Sequence, residues 1–220
     1  MSSSSNDLLD PLSLAALMSS RLCHDLINPV GALSSGLDVL NDPSMDDDMK
    51  DAALDLVRTS AEKSIALLKY ARLAYGAAGG FGAELPLDEA KNTLTALYEW
   101  SKPSLDWRIG PGQTSKEKVK ALLVIGAAAA ECVPRGGEVV IDEVDGEYSI
   151  KATGKRAMLQ DDLVKALSLE TEDMKPKFSP IYLVALMAKE AGGGISAEID
   201  DETVSFSIKF REEEVALTAS

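Results

Sequence analysis

Apolar residues recur at three- and four-residue steps through the first third of the chain. Leu22, Leu26, Val30, Leu33, Leu37 and Leu40 fall on one stripe of an α-helix, and the pattern predicts a helix from about Pro11 to Leu40. Asp10 suits the N-cap and Pro11 the first helical position. Turn residues Asn41-Asp42-Pro43-Ser44 follow. Asp46, Asp47 and Asp48 then complement the positive end of a second helix. Its Ala53, Leu56, Ser60, Ser64, Leu67, Ala71 and Ala74 repeat the same spacing to about Tyr75. The two helices form an antiparallel hairpin. Two helices cannot enclose a core, and at about 30 residues each they leave one apolar face open over about 45 Å. A second copy about a two-fold axis would cover that face, so a homodimeric four-helix bundle is predicted.

A run of small residues near Gly76 to Gly82 reads as a linker, after which helix and strand patterns mix. Pro86 to Trp100 has helical periodicity, Leu105 to Ile109 alternates like a strand, and Lys116 to Cys132 is an Ala-rich helix stopped by Gly136-Gly137. Glu138 to Asp142 and Glu147 to Ala152 alternate around Asp145-Gly146, a strong hairpin signal. Helical patterns follow at Gln160 to Leu169 and Ser179 to Ala191. Gly192-Gly193-Gly194 ends the latter, and Ile195 to Ile199 with Thr203 to Phe210 forms a second hairpin. The chain is therefore expected to be α+β, a helical hairpin followed by an α/β sandwich with helices on one face of a mixed sheet. The expected division is a tail at 1–9, the hairpin at 10–76, a linker at 77–84, the second domain at 85–212 and a C-terminal tail at 213–220.

Composition narrows the partners. With 220 residues and 45% hydrophobic content the chain can bury a sizeable core. Its 36 acidic and 22 basic residues give a net charge of −14, which disfavours nucleic acid and anionic membranes and points to protein partners. Two distant cysteines, Cys23 and Cys132, indicate neither a disulfide framework nor a metal knuckle. The Ser-rich start lacks a basic segment, and the longest apolar run, Ala121 to Ala130, is too short to span a membrane. A cytoplasmic location is expected.

One residue stands apart from this background: His24 is the sole histidine. It lies between Leu22 and Leu26, and two residues turn a helix by roughly 200°, so its ring is expected to project away from the apolar stripe. A lone exposed His is ordinarily a surface residue. Here Asp25 follows at once, Asn28 sits one turn later, and Pro29 interrupts the hydrogen-bond ladder at a cost of about 3 kcal/mol. A single His cannot build a His-based metal site, but one imidazole can carry a phosphoryl group by itself.

The run His24-Asp25-Leu26-Ile27-Asn28-Pro29 resembles the H box of two-component sensor kinases. The second half resembles their ATP-binding catalytic domain, the Bergerat-type sandwich, with its nucleotide motifs altered. Val124 and Ala128 stand where that family carries two Asn residues. Ala152 stands where an Asp contacts adenine, and Lys175 to Pro180 replaces a glycine-rich lid. A hairpin bearing the His, joined to a kinase-like domain without its ATP motifs, resembles the ChpT-type bacterial histidine phosphotransferases over residues 11 to about 210.

The resemblance implies a phosphorelay in cell-cycle control. His24 takes phosphate from the receiver domain of a CckA-type hybrid histidine kinase and passes it to CtrA-type and other response regulators. It implies no cofactor for this chain and no ATP binding, magnesium being supplied by the receiver. Asp25 would hydrogen-bond one ring nitrogen, and Asn28 would orient the ring or a water. Arg21 is placed to steady a phosphoryl oxygen or to form an ordinary salt bridge. Ile27, Gly31 and Ser34, on the exposed side below His24, form a candidate docking patch for a receiver helix. Two alternatives stay open: an ATP-dependent sensor kinase fragment, and a dimeric scaffold that needs no reactive His. A monomeric Hpt bundle is disfavoured, since the chain offers only a hairpin.

Overall fold

The computed structural model describes residues 8–76, 84–144 and 146–211. Helix α1 spans Pro11–Asn41 and α2 spans Asp47–Ala74. Asp10 Oδ1 accepts the backbone N–H groups of Leu12 and Ser13 at 3.0 Å, and Asp46 Oδ1 accepts that of Met49 at 2.8 Å. Both helices thus start on an aspartate cap. Helix α1 continues through Pro29, which is buried. Small side chains let the two helices approach closely. A Cβ on Gly36 would stand 2.6 Å from Val57 Cγ2 and 3.1 Å from the Ala53 carbonyl oxygen, and Ala53, Ser60, Ser64 and Ala71 are buried on α2.

The predicted apolar stripe of α1 is only partly covered within one chain. Leu22, Leu26, Leu33 and Leu40 are half-buried, while Val30 and Leu37 are exposed. On α2, Leu56 is exposed and Leu67 half-buried, and Leu54, Ile65 and Leu68 also face outward. Helix α1 has its hairpin partner on one side only, so the part of the stripe turned away from α2 stays open.

The α/β region contains β1 (Glu84–Pro86), α3 (Leu87–Tyr98), β2 (Ser104–Trp107), β3 (Gln113–Ser115), α4 (Lys116–Cys132), β4 (Glu138–Val144), β5 (Glu147–Thr153) and α5 (Asp161–Leu167). A 3₁₀ turn at Pro176–Phe178 leads into α6 (Ser179–Glu190), β6 (Gly194–Asp200) and β7 (Thr203–Lys209). Five strands form one sheet in the order β2-β4-β5-β7-β6, with β2 parallel to β4 and the remaining pairs antiparallel. The register pairs Val139 with Ala152, Ile141 with Ile150 and Ile150 with Phe206, so alternate residues share a face. That face is buried beneath the helices. Lys151, on the other face, is exposed. Helix α4 is the centre of the core: Val119, Leu122, Leu123, Ile125 and Ala129 are wholly buried.

The short β1–β3 ladder is absent from the sequence reading, because Glu84-Leu85-Pro86 and Gln113-Thr114-Ser115 show no apolar alternation to announce it. The hairpin and the α/β region share one core. Tyr70, Leu73 and Ala74 pack with the α4 and α6 side chains, and buried Lys120 donates from Nζ to the Gly76 carbonyl at 2.6 Å. Leu9, assigned to the N-terminal tail by its sequence, donates its N–H to Tyr182 Oη at 2.9 Å and packs on the core. The described chain is therefore anchored before Asp10. Of the predicted linker, residues 77–83 lie outside the described residues, as does the C-terminal tail at 213–220.

Candidate phosphoacceptor site

His24 sits midway along α1 with its side chain 80% open to solvent. Its Nδ1 faces Asp25 Oδ1 at 3.8 Å, beyond hydrogen-bond length. The Asp25 carboxylate is held from the other side, where Oδ2 accepts from Arg21 Nε at 2.8 Å, one helical turn earlier. Ring and carboxylate are thus neighbours, with the carboxylate's direct bond going to Arg21. The rest of the ring stands open to solvent.

The site is not confined to the hairpin. His24, Arg21, Asp25, Asn28 and Pro29 line one side of a groove of about 310 Å³. Lys63, Leu67 and Tyr70 of α2 also line it, and the far wall includes Leu97, Trp100, Ala127, Ala130 and Glu131 of the α/β region. Ile27, Gly31 and Ser34 do not line this groove; all three are exposed along α1. No pattern in the sequence ties Lys63, Trp100 or Glu131 to His24, because the groove exists only once the two regions pack together.

Arg21 reaches out of the hairpin. Its Nη2 lies 3.5 Å from Glu131 Oε1 of α4, and its Nη1 donates to the Lys177 carbonyl at 3.4 Å. Burial works against the guanidinium charge, but the Asp25 and Glu131 carboxylates more than offset it, and the net direction is upward. Nearby Tyr70 and Tyr75 meet edge to face, centroids 5.6 Å apart. Burial is the main reason that the Tyr75 phenol is pushed up to about 12.

Some of the positions matched to nucleotide motifs adjoin the hairpin. Val124, Ala128, Lys177, Phe178 and Pro180 line a cavity of about 30 Å³, closed on the hairpin side by Arg21, Tyr70 and Tyr75. Ala152 is wholly buried in β5, and Lys175 to Pro180 is a 3₁₀ turn running into α6. The glycines have a packing reason to stay. A Cβ on Gly137 would meet the Thr153 carbonyl oxygen at 2.2 Å, and one on Gly154 would meet the Gly136 carbonyl oxygen at 2.4 Å. Among the described residues no group of three or more His, Cys, Asp or Glu side chains could hold a metal ion. Among them, too, no helix is long and apolar enough to cross a membrane.

Known proteins place this arrangement. Residues 87–203 match the histidine phosphotransferase C-terminal domain. The chain is 31% identical over 210 residues to the protein phosphotransferase ChpT of Brucella abortus (strain 2308), covering 90% of this chain and 96% of the relative. The chain belongs to the ChpT-type histidine phosphotransferases. A solved structure described as a bacterial phosphotransferase superposes with a TM-score of 0.79 at 30% identity, over 91% of this chain and 99% of the other. The matched family domain begins at α3 and ends at the first residue of β7, so it takes in the α/β region and leaves out the hairpin that carries His24. Both full-length likenesses span about nine tenths of this chain.

Proposed function

We propose that this protein is the histidine phosphotransferase of a bacterial phosphorelay, with His24 as the residue that carries the phosphoryl group. The observation that supports this most is the placement of the sole histidine. It stands exposed on α1, beside a carboxylate and an amide, at the mouth of a groove formed with the α/β region. Nε2 attacks the phosphorus of a receiver's aspartyl phosphate; the P–O bond to the receiver breaks and its electron pair leaves with that carboxylate. The Nδ1 proton stays on the ring, and Asp25 offsets the resulting positive charge. Asn28 orients the ring from the same groove, and Arg21 acts through Asp25. Transfer onward reverses these steps with a second aspartate. Magnesium comes with the receiver.

The donor in this reading is the receiver of a CckA-type hybrid kinase, and the acceptors are CtrA-type and other response regulators in cell-cycle control, all in the cytoplasm. Ile27, Gly31 and Ser34 offer the receiver an accessible strip beside His24. The reading assigns this chain no ATP chemistry of its own, which is supported by the apolar Val124 and Ala128 at the positions where sensor kinases carry Asn; both line a small cavity of about 30 Å³. The protein works as a homodimer. Val30 and Leu37 on α1, with Leu54, Ile65 and Leu68 on α2, leave an apolar face that a second hairpin covers.

Incubation with a radiolabelled phospho-receiver domain and, separately, with labelled ATP tests the proposal. Label passing from the receiver to wild type but not to His24→Ala, with none from ATP, is the expected result. Label arriving from ATP makes the protein a kinase. Equal labelling of His24→Ala removes His24 from the role.

A further inference from the structure

Arg21 is gripped from two sides. Within α1 its Nε holds Asp25 Oδ2 at 2.8 Å. Across the groove its other nitrogens meet Glu131 Oε1 at 3.5 Å and the Lys177 carbonyl at 3.4 Å. Glu131 is itself fixed, because its Oε2 pairs with Lys177 Nζ at 2.8 Å, and Lys177 Nζ also reaches Gln160 Oε1 at 3.4 Å. The chain of contacts therefore runs from α5's N-terminal edge through the 3₁₀ turn and α4 to Arg21, then to Asp25 and the ring of His24.

An i,i+4 ion pair on a free helix surface is weak and samples many rotamers. Here the arginine is only 20% exposed and tied to two elements of the other region, so the Asp25 carboxylate is oriented from behind. Its second oxygen, Oδ1, is left pointing at His24 Nδ1 at 3.8 Å. A side-chain movement of about 1 Å closes that gap to hydrogen-bond length. The two cations, Arg21 and Lys177, thus alternate with the two carboxylates, Asp25 and Glu131, along this chain of contacts.

We infer that the α/β region serves as a positioning arm for the phosphoacceptor, Glu131 and Lys177 acting through Arg21 to hold Asp25 where it keeps the proton on His24 Nδ1 and leaves Nε2 free to attack. Glu131 and Lys177 are positioning residues that never touch phosphate. This rests on the phosphotransfer reading above and adds to it a task for the segment 175–180 and the end of α4.

The single histidine makes the test direct, since imidazole ¹⁵N signals of the uniformly labelled full-length protein come from His24 alone. Wild type is expected to show mainly the Nδ1–H tautomer. Glu131→Gln and Lys177→Met are each expected to shift the tautomer ratio about threefold toward Nε2–H, the scale of one partly exposed ion pair. Both should slow transfer from a phospho-receiver by a similar factor, and Lys177→Arg should restore both values. An unchanged ratio in Lys177→Met, or in a Glu131→Gln protein with the wild-type melting curve, overturns the inference. If Glu131→Gln fails to fold, the exposed Lys177 side chain decides alone. The tautomer is read on unphosphorylated protein, so failure of wild type to take label removes the phosphotransfer reading while this test still returns its own answer.

Discussion

Replacing Gly137 with alanine tests why a glycine stands where β4 meets the end of β5. Gly137 has φ of +145°, which L side chains rarely adopt. A Cβ there would lie 2.2 Å from the Thr153 carbonyl oxygen, 3.0 Å from Gly154 Cα and 3.1 Å from the Thr153 carbonyl carbon. All three are main-chain atoms. They cannot rotate aside, because Thr153 is paired with Glu138 and with Thr203 in the sheet, while the Gly137 carbonyl accepts the Ser104 N–H at 2.9 Å. Backbone strain of about 1–3 kcal/mol and a forced displacement of about 1–3 kcal/mol sum to about 4 kcal/mol. For a protein of this size that lowers Tm by roughly 8–16 °C. Melting followed by far-UV circular dichroism should show the drop. Gly31→Ala is the comparison: it has nothing within 4 Å of its Cβ position and should gain up to about 1 kcal/mol of helix propensity. A Gly137→Ala protein melting within about 2 °C of wild type would refute the claim that close strand approach retains this glycine.

Three further outcomes follow from the same geometry. Burial, with Glu131 adding to it, pushes the Cys132 thiol from 9.0 up to about 12. A raised folded-state value favours the protonated form, so its contribution is full below about pH 9 and is lost as pH rises toward 12, on the order of 4 kcal/mol at the limit. Urea midpoints should fall between pH 8 and pH 11, and fall less in Cys132→Ala; equal slopes would count against the burial. Leu37→Glu on the open face of α1 should convert the proposed dimer to a monomer by light scattering, and a mass unchanged from that of a dimeric wild type would remove that face from the interface. Gly36→Leu, forced against Val57 and the Ala53 backbone, should cost at least about 1–3 kcal/mol in chemical denaturation, whereas a neutral result would mean the helices can separate freely.

Much of the fold is legible in the order of the residues. The start of α1, the turn at 42–46, the full span of α4 and both β-hairpins are written in local signals: aspartate caps, turn residues, and apolar repeats of period 3.6 or 2. The candidate phosphoacceptor is legible for a similar reason, since its exposure follows from its angle to the apolar stripe and its neighbours along the helix are its neighbours in sequence. The β1–β3 ladder was not legible, being three residues long with one strand polar and the other ending in proline.

What the sequence by itself determined is the longer helices and the two β-hairpins, the helix that carries His24 and the side of that helix on which it stands, because these depend on spacing within one segment. Tertiary structure alone decided that Arg21 leaves the hairpin for Glu131 and Lys177, and that Val124 and Ala128 line a cavity of about 30 Å³ together with side chains of α1, α2, α5, the 3₁₀ turn and α6. The Arg21 contacts join residues more than a hundred positions apart. Which charge pairs with which is then set by the packing of α1 against α4 and the 3₁₀ turn, a relation that no local periodicity encodes.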